Sequence, residues 1–327
     1  MKKQKNSGIL VLIIIAAISL VLGALNFIDI KQPAKIQPVH KEMKLNFNRN
    51  KKGYIAKITI EGVIQERNRS YNQEWLISTI KMLKDDPSNK ALALFIDTPG
   101  GTVYEADEVY LALQNYKTSG KKIYAYQGHI AASGGYYISC AADKIYANRN
   151  TLTGSIGVIS GSSFDMTELL SKIGIKSKTI HAGKNKNMFN YNEPLTAEQE
   201  KIMQGVCDSY YEQFVNIVAQ NRNMKNAEAK ALSDGRIYTA KQALDNGLID
   251  SIDSWENMIA DMKKFEFENA NLSVEEFSYK KDFTFSDIFM EKAFGAGSSE
   301  AFEKFFSESS INILPILQIS NLPALPS

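Results

Sequence analysis

The sequence predicts an α/β protein, with a mostly parallel sheet and helices packed over it, preceded by one N-terminal membrane-spanning helix. Three observations carry this. Strand-like and helix-like apolar patterns alternate from Tyr54 onward, which puts a crossover helix between successive strands and makes those strands parallel. The 327-residue chain is 44% hydrophobic and 23% charged, enough to bury a sizeable core and unlike disordered or collagenous chains. Finally, residues 6–28 contain no charged side chain.

In chain order, Lys2, Lys3 and Lys5 open a short N-terminus, residues 1–7. The anchor is assigned to residues 8–28; its centre, GILVLIIIAAISLVLGAL, is about 27 Å long as a helix, close to the thickness of a bilayer's hydrocarbon core. A cleaved signal peptide is the alternative, but the apolar run is longer than a usual signal core and no A-x-A site follows. Lys31, Lys35, Lys41 and Lys44 balance the lysines before the span, so charge bias does not orient it. Long trailing domains translocate largely regardless of charge, which puts the N-terminus in the cytoplasm and the bulk of the chain on the extracytoplasmic side of the cell membrane. Residues 29–51, with Pro33 and Pro38, read as a polar tether.

A catalytic-sized domain follows, residues 52–266. YIAKITI (54–60) alternates as a strand, EWLISTIKMLKDD (74–86) as an amphipathic helix, and ALALFID (91–97) as a buried strand. A helix from Glu105 to Tyr116, a strand KKIYAY, a small-residue turn into YYISCAA and a strand DKIYAN continue the alternation. Thr196 begins the longest helix, with Gln199 completing a capping box. Ile202, Val206, Tyr210, Phe214, Ile217 and Val218 form its apolar stripe, read as core or oligomer surface. Asp234–Asp250 reads as turn, short strand and helix, with Gly247 at the helix end. Beyond Phe267 the pattern degrades into a C-terminal extension and tail, residues 267–327, broken by Pro315, Pro323 and Pro326.

Composition narrows the chemistry. Lys+Arg 38 against Asp+Glu 36 leaves +2, with no basic block, so no nucleic-acid partner is implied. Cys140 and Cys207 sit in apolar helical contexts without CxxC or Cys/His spacing; they read as buried small hydrophobes rather than a disulfide or a zinc site. No metal or other cofactor is expected. There is neither G-x-G-x-x-G nor a Walker A loop, which disfavours nucleotides.

Two turns bear chemistry. Phe95–Val103, FIDTPGGTV, runs from a buried strand through Gly100 and Gly101 into a helix; paired glycines let a ligand approach the backbone amides, though many such pairs are plain tight turns. In GHIAASGGYY, Ser133 follows a strand and small residues and opens a helix, where the helix N-terminus and the Gly134 N–H favour developing negative charge. An ordinary N-cap serine is the bland alternative. A serine nucleophile needs a base. His40, His129 and His181 are the only histidines: His40 lies in the tether, and His129, four residues before Ser133, fits a backbone-bonded residue as well as a base. The segment IHAGKNKNMF, read as a strand end turning into a polar loop, carries Lys184 and Lys186. Lysine can serve if it is neutral, yet only about 0.04% of an unperturbed lysine is neutral at pH 7.

Asp97–Val103, Ala131–Tyr137, TLTGSIGV (151–158), the Gly183-x-x-Lys186 loop and Asp234–Asp250 occur in an order and spacing that resembles peptidase family S49, the signal peptide peptidase A family, in its short membrane-anchored form. The resemblance implies a ClpP/crotonase-type fold and a Ser/Lys dyad, with Ser133 as nucleophile, Lys186 as general base and Lys184 as its competitor in the loop. Ser155 would hydrogen-bond the base. Gly134, with Gly101 or Gly100, would form the oxyanion hole. In this family serine and lysine come from different copies of the fold, so the resemblance implies a homo-oligomeric ring, an octamer, acting on peptides such as cleaved signal peptides at the membrane face. A crotonase-like acyl-CoA enzyme and a catalytically inactive membrane scaffold are the alternatives. The tail from Ile311 to Ser327 is a candidate occupant of the substrate groove.

Overall fold

The computed structural model describes residues 53–161 and 163–279; the expected anchor, the tether and the tail lie outside the described residues. Among the described residues no helix is long and apolar enough to cross a membrane. In order, the elements are β1 (Tyr54–Glu61), α1 (Gln73–Asp85), β2 (Asn89–Thr98), α2 (Val103–Lys117), β3 (Lys122–Ala132), α3 (Gly134–Ser139), β4 (Lys144–Ala147), β5 (Leu152–Gly154), α4 (Thr167–Lys172), α5 (Ala197–Asn221), α6 (Asn226–Ala231), β6 (Ile237–Thr239), α7 (Ala240–Asp245), β7 (Ser251–Ile252), α8 (Trp255–Phe267) and β8 (Ser273–Phe277).

The strands form one sheet in the order β6-β5-β3-β2-β1-β8, with β4 and β7 branching from β3. Every ladder is parallel except β5–β6. The expected mostly parallel sheet is therefore present, with one antiparallel pair at its edge. Alternation along each strand sorts the two faces. Ile55, Ala91, Ala93, Tyr124, Tyr126 and Tyr146 pack under α8 against Met258, Ile259 and Met262. The opposite face includes Ile96, which lies close to α3.

Local chemistry sets the ends of the elements. The Asn72 side chain accepts the Trp75 N–H and starts α1. The half-buried Lys121 donates to the carbonyls of Leu83, Lys84 and Asp86, each at 2.8 Å, so an ammonium satisfies the carbonyls left open at the end of α1. The Thr196–Gln199 capping box opens α5 as expected. At its other end, Arg222 bonds the Gly247 carbonyl and the Asp250 carboxylate. Burial pushes the Asp250 carboxyl up, but the hydrogen bond and charge of Arg222 outweigh it and hold the group below the usual carboxylate range.

Two details differ from expectation. The sequence pattern fades after Phe267, yet Ser273–Phe277 forms β8 on β1, from Tyr54↔Ser273 to Ile58↔Phe277. A short polar segment becomes a strand because an open sheet edge offers it a ladder. Conversely, no strand ends at Ile180: residues 175–181 carry no ladder, and 182–189 are bends and turns.

Candidate active site

Ser133 stands where β3 ends and α3 begins, at φ 51° and ψ −117°. A non-glycine residue there costs about 1–3 kcal/mol and persists only where surrounding bonds over-determine it. They do so here: the Ser133 N–H donates to Gly154 O at 2.8 Å, and its carbonyl accepts the Tyr137 N–H at 2.9 Å. Its side chain makes no capping bond, so the ordinary N-cap reading does not hold. Ser155 has the same unusual backbone, φ 49°, fixed by its N–H to Arg236 O at 2.8 Å. Because Ala132 pairs with Gly154, the two serines follow adjacent positions of neighbouring strands, and both line one cavity of about 650 Å³.

The glycine pair faces Ser133. Gly100 has φ 104°, and a Cβ on it would lie 2.7 Å from the Gly134 nitrogen and 2.9 Å from Ser133 Cβ, so only glycine lets the loop approach this closely. The Gly100 N–H is already used, donating to Thr98 Oγ1 at 3.0 Å. Gly101 differs: its neighbours bond Ile64 through Ile64 N–H to Gly100 O and Thr102 N–H to Ile64 O, both 2.9 Å, while its own N–H donates to nothing among the described residues. A Cβ on Gly134 would come 3.4 Å from the Gly101 nitrogen. The Gly134 N–H, first in α3, has no partner among the described residues either. Two unused amides thus lie beside one serine, the arrangement that stabilises an oxyanion.

A second, smaller cavity of about 30 Å³ adjoins Ser133, with Ala106, Tyr137, Val158 and Phe214 among its walls. The larger cleft shares Val103 and adds Ile159, Tyr211, Asp208 and Asp234. Neither has a lysine or histidine in its lining. Cys140 is buried, and burial pushes its thiol up to about 12. Cys207, expected in the core, is only half-buried and lines the larger cleft.

The candidate bases lie elsewhere. His129 points into solvent with its side chain 95% exposed and Nδ1 2.7 Å from Asp97 Oδ2. His181 Nδ1 contacts the Gly183 carbonyl at 3.1 Å. His40 lies outside the described residues. Lys184 is tied in an ion pair to Glu198 at the start of α5, and that pairing holds the Glu198 carboxyl below its usual range. Lys186 is exposed on the next turn, its N–H bonded to Gly183 O at 3.1 Å, and its ammonium makes no ion pair among the described residues. The asparagines that follow order this loop: Asn187 is buried and accepts from Asn190 Nδ2 at 2.7 Å, while Asn190 and Asn192 both donate to Thr179 Oγ1.

The structure therefore brings together Ser133, Ser155, Gly134, Gly101 and Gly100, and leaves Lys186 outside both cavities of its own chain. Sequence reasoning missed the roles of Thr98, whose hydroxyl takes up one of the two glycine amides, and of Ile64, which clamps the loop. Neither leaves a signal in a single sequence.

Comparison with known proteins gives the family. The model of peptidase family S49 matches residues 115–268. A candidate signal peptide peptidase, SppA, from Enterococcus faecium is 38% identical over 222 residues, 66% of this chain and 64% of that protein. A candidate protease from Synechocystis sp. is 37% identical over 205 residues, 62% of this chain and 71% of that one. Protease 4 of Haemophilus influenzae is 28% identical over 228 residues, spanning 68% of this chain but 37% of its own length. A ClpP1 variant from Listeria monocytogenes aligns in structure over 62% of this chain and 94% of its own, at 16% identity and a TM-score of 0.44, too slight a likeness to define the fold. Sheet, strained serine and paired amides define the class: an α/β protein with a serine presented at a strand-to-helix turn. The chain belongs to peptidase family S49, as a signal peptide peptidase family member.

Proposed function

We propose that the chain is a membrane-anchored serine endopeptidase of ClpP/crotonase-type fold that degrades cleaved signal peptides and other apolar peptides at the extracytoplasmic face of the cell membrane. Residues 8–28 are its anchor, 52–266 its catalytic domain and 267–327 its extension. The observation that carries the reading is Ser133 held in a strained backbone beside the amides of Gly101 and Gly134, which have no partner among the described residues.

Lys186 acts as the base from a neighbouring copy in a homo-oligomeric ring, an octamer on family resemblance. Two features support this: the loop bearing Lys186 lines neither cavity at Ser133, and the segment around it exposes Ile159 (86%), Phe164 (71%) and Ile180 (90%), an apolar surface of the kind that marks an interface. Lys186 removes the Ser133 proton, Ser155 orients the amine, and the alkoxide attacks the peptide carbonyl. Gly101 and Gly134 N–H groups hold the oxyanion, with Gly100 shaping the loop rather than donating; the intermediate collapses as the C–N bond breaks and the leaving amine takes the proton from Lys186, and water then hydrolyses the ester on Ser133. The apolar walls of the smaller cavity take an apolar side chain next to the scissile bond.

The test uses a serine-directed phosphonate and an apolar peptide. Ser133→Ala and Lys186→Ala are each expected to lose about 10⁴-fold or more in kcat, Lys184→Ala to stay within about threefold, and the phosphonate to label Ser133. Unlabelled Ser133, or full turnover by both dead variants, contradicts the reading.

A further inference from the structure

We propose that Asp97 is a positioning residue that sets where Ser133 stands relative to the Gly101 amide. The proposal rests on the reading of Ser133 as the nucleophile. β2 and β3 carry the two halves of the site, the glycine loop and the serine, and their ladder breaks just before both. Ile96 pairs with Gln127, but the next pair is Thr98 with Ala131; Asp97 alone on β2 therefore opposes Gly128, His129 and Ile130 on β3. This is a bulge, a device that bends a strand and re-aims the residues beyond it.

The Asp97 side chain supplies the ladder partner that the backbone lacks. Its Oδ1 accepts the Ile130 N–H at 3.1 Å and its Oδ2 contacts His129 Nδ1 at 2.7 Å. A Cβ at Gly128 would lie 3.1 Å from Cγ and Oδ2 of that carboxylate, so glycine makes room for it. Thr151 Oγ1 holds the bulge from the other side, through the Gln127 and Gly128 carbonyls at 3.0 and 2.6 Å. The backbone of Asp97 serves the neighbouring loop, its carbonyl accepting the Gly62 N–H at 3.2 Å, two residues before the Ile64 that clamps Gly101. One residue thus ties together the turn after β1, the glycine loop and the last three residues of β3 before Ser133. Shifts near 1 Å in such a constellation cost catalysis far more than they cost folding.

Two near-isosteric variants of the full chain separate position from charge. Asp97→Asn keeps the side-chain length and an oxygen for the Ile130 N–H; Asp97→Glu keeps the charge but displaces it by a methylene. Steady-state kinetics on an apolar peptide, with thermal midpoints measured alongside, are expected to give Asn within about threefold of the parent kcat and Glu lower by about 10²-fold, KM staying within about twofold in both. Parent-like kcat in the Glu variant, or equal losses in both, overturns the proposal. Ser133→Ala is run in parallel. If it is inactive while Asp97→Glu is fully active, only the role of Asp97 falls; if it keeps its turnover, the reading of the site falls and takes this role with it.

Discussion

Ser133 and Lys186 lie in regions of opposite character. The region of the serine is a closed body: Ile55, Leu92 and Ile123 are fully buried in the sheet, and the loops around the nucleophile are tied by backbone bonds to the segment after β1, to β5 and to the segment before β6. In the region of the lysine, from Val158 to the first half of α5, the backbone bonds of the loops among the described residues stay within the region, as from Met166 N–H to Tyr191 O and Ile175 N–H to Leu170 O, both 2.9 Å. Its helix α4 buries no residue at all, and Phe164, Leu169, Ile173, Ile175 and Ile180 are exposed. The helix α5 passes from one regime to the other along a single stripe. Phe214 and Val218 are buried in the body, whereas Ile202, Val206 and Tyr210 are 38%, 36% and 43% exposed. The difference fits the proposed mechanism, in which the serine is ordered by its own chain and the lysine by a second copy packed on this exposed segment.

Substitutions along that stripe sharpen the contrast. Phe214→Ala removes a core ring and is expected to destabilise the fold by about 3–5 kcal/mol, read by denaturant melts. Val206→Asp, two turns earlier, is expected to leave the melt within about 0.5 kcal/mol while lowering the oligomer mass in solution and the turnover with it. A Val206 variant that stays assembled and active removes the exposed half of the α5 stripe from the interface.

A smaller effect belongs to the body alone. The hydrogen bond to Asp97 and then its charge raise the His129 pKa above the ordinary 6.5. The pair's contribution is therefore complete below that ordinary value and fades as pH rises through the raised one. With the ring so exposed, any change in the melt will be slight, and the direct readout is the imidazole titration by NMR. Its midpoint should lie above 6.5 and fall towards it in Asp97→Asn; an unmoved midpoint refutes the pairing.

How much was legible in the sequence tracks the same divide. The strand around Leu94 announced itself by a continuous apolar run and those around Ile58 and Tyr124 by their strand-like patterning, because burial on a parallel sheet demands apolar side chains, and the Thr196 box marked its helix by local bonding alone. Ser133 was legible from its small neighbours and the helix start. Three things were not. β8 depends on an edge offered by residues some two hundred positions away, which no local pattern encodes. The choice of Gly101 over Gly100 depends on where the Thr98 hydroxyl points. The contrast between Lys184 and Lys186 depends on Glu198, brought near by the turn before α5. The stripe of α5 showed its period plainly but not the point at which it leaves the core.

The most direct test mixes the two inactive variants. Equal amounts of Ser133→Ala and Lys186→Ala chains, dissociated and reassembled together, should regain activity, because about one quarter of the sites then join an intact serine to an intact neighbouring lysine. Mixed assemblies verified by mass that stay as inactive as either parent would contradict a site shared between copies.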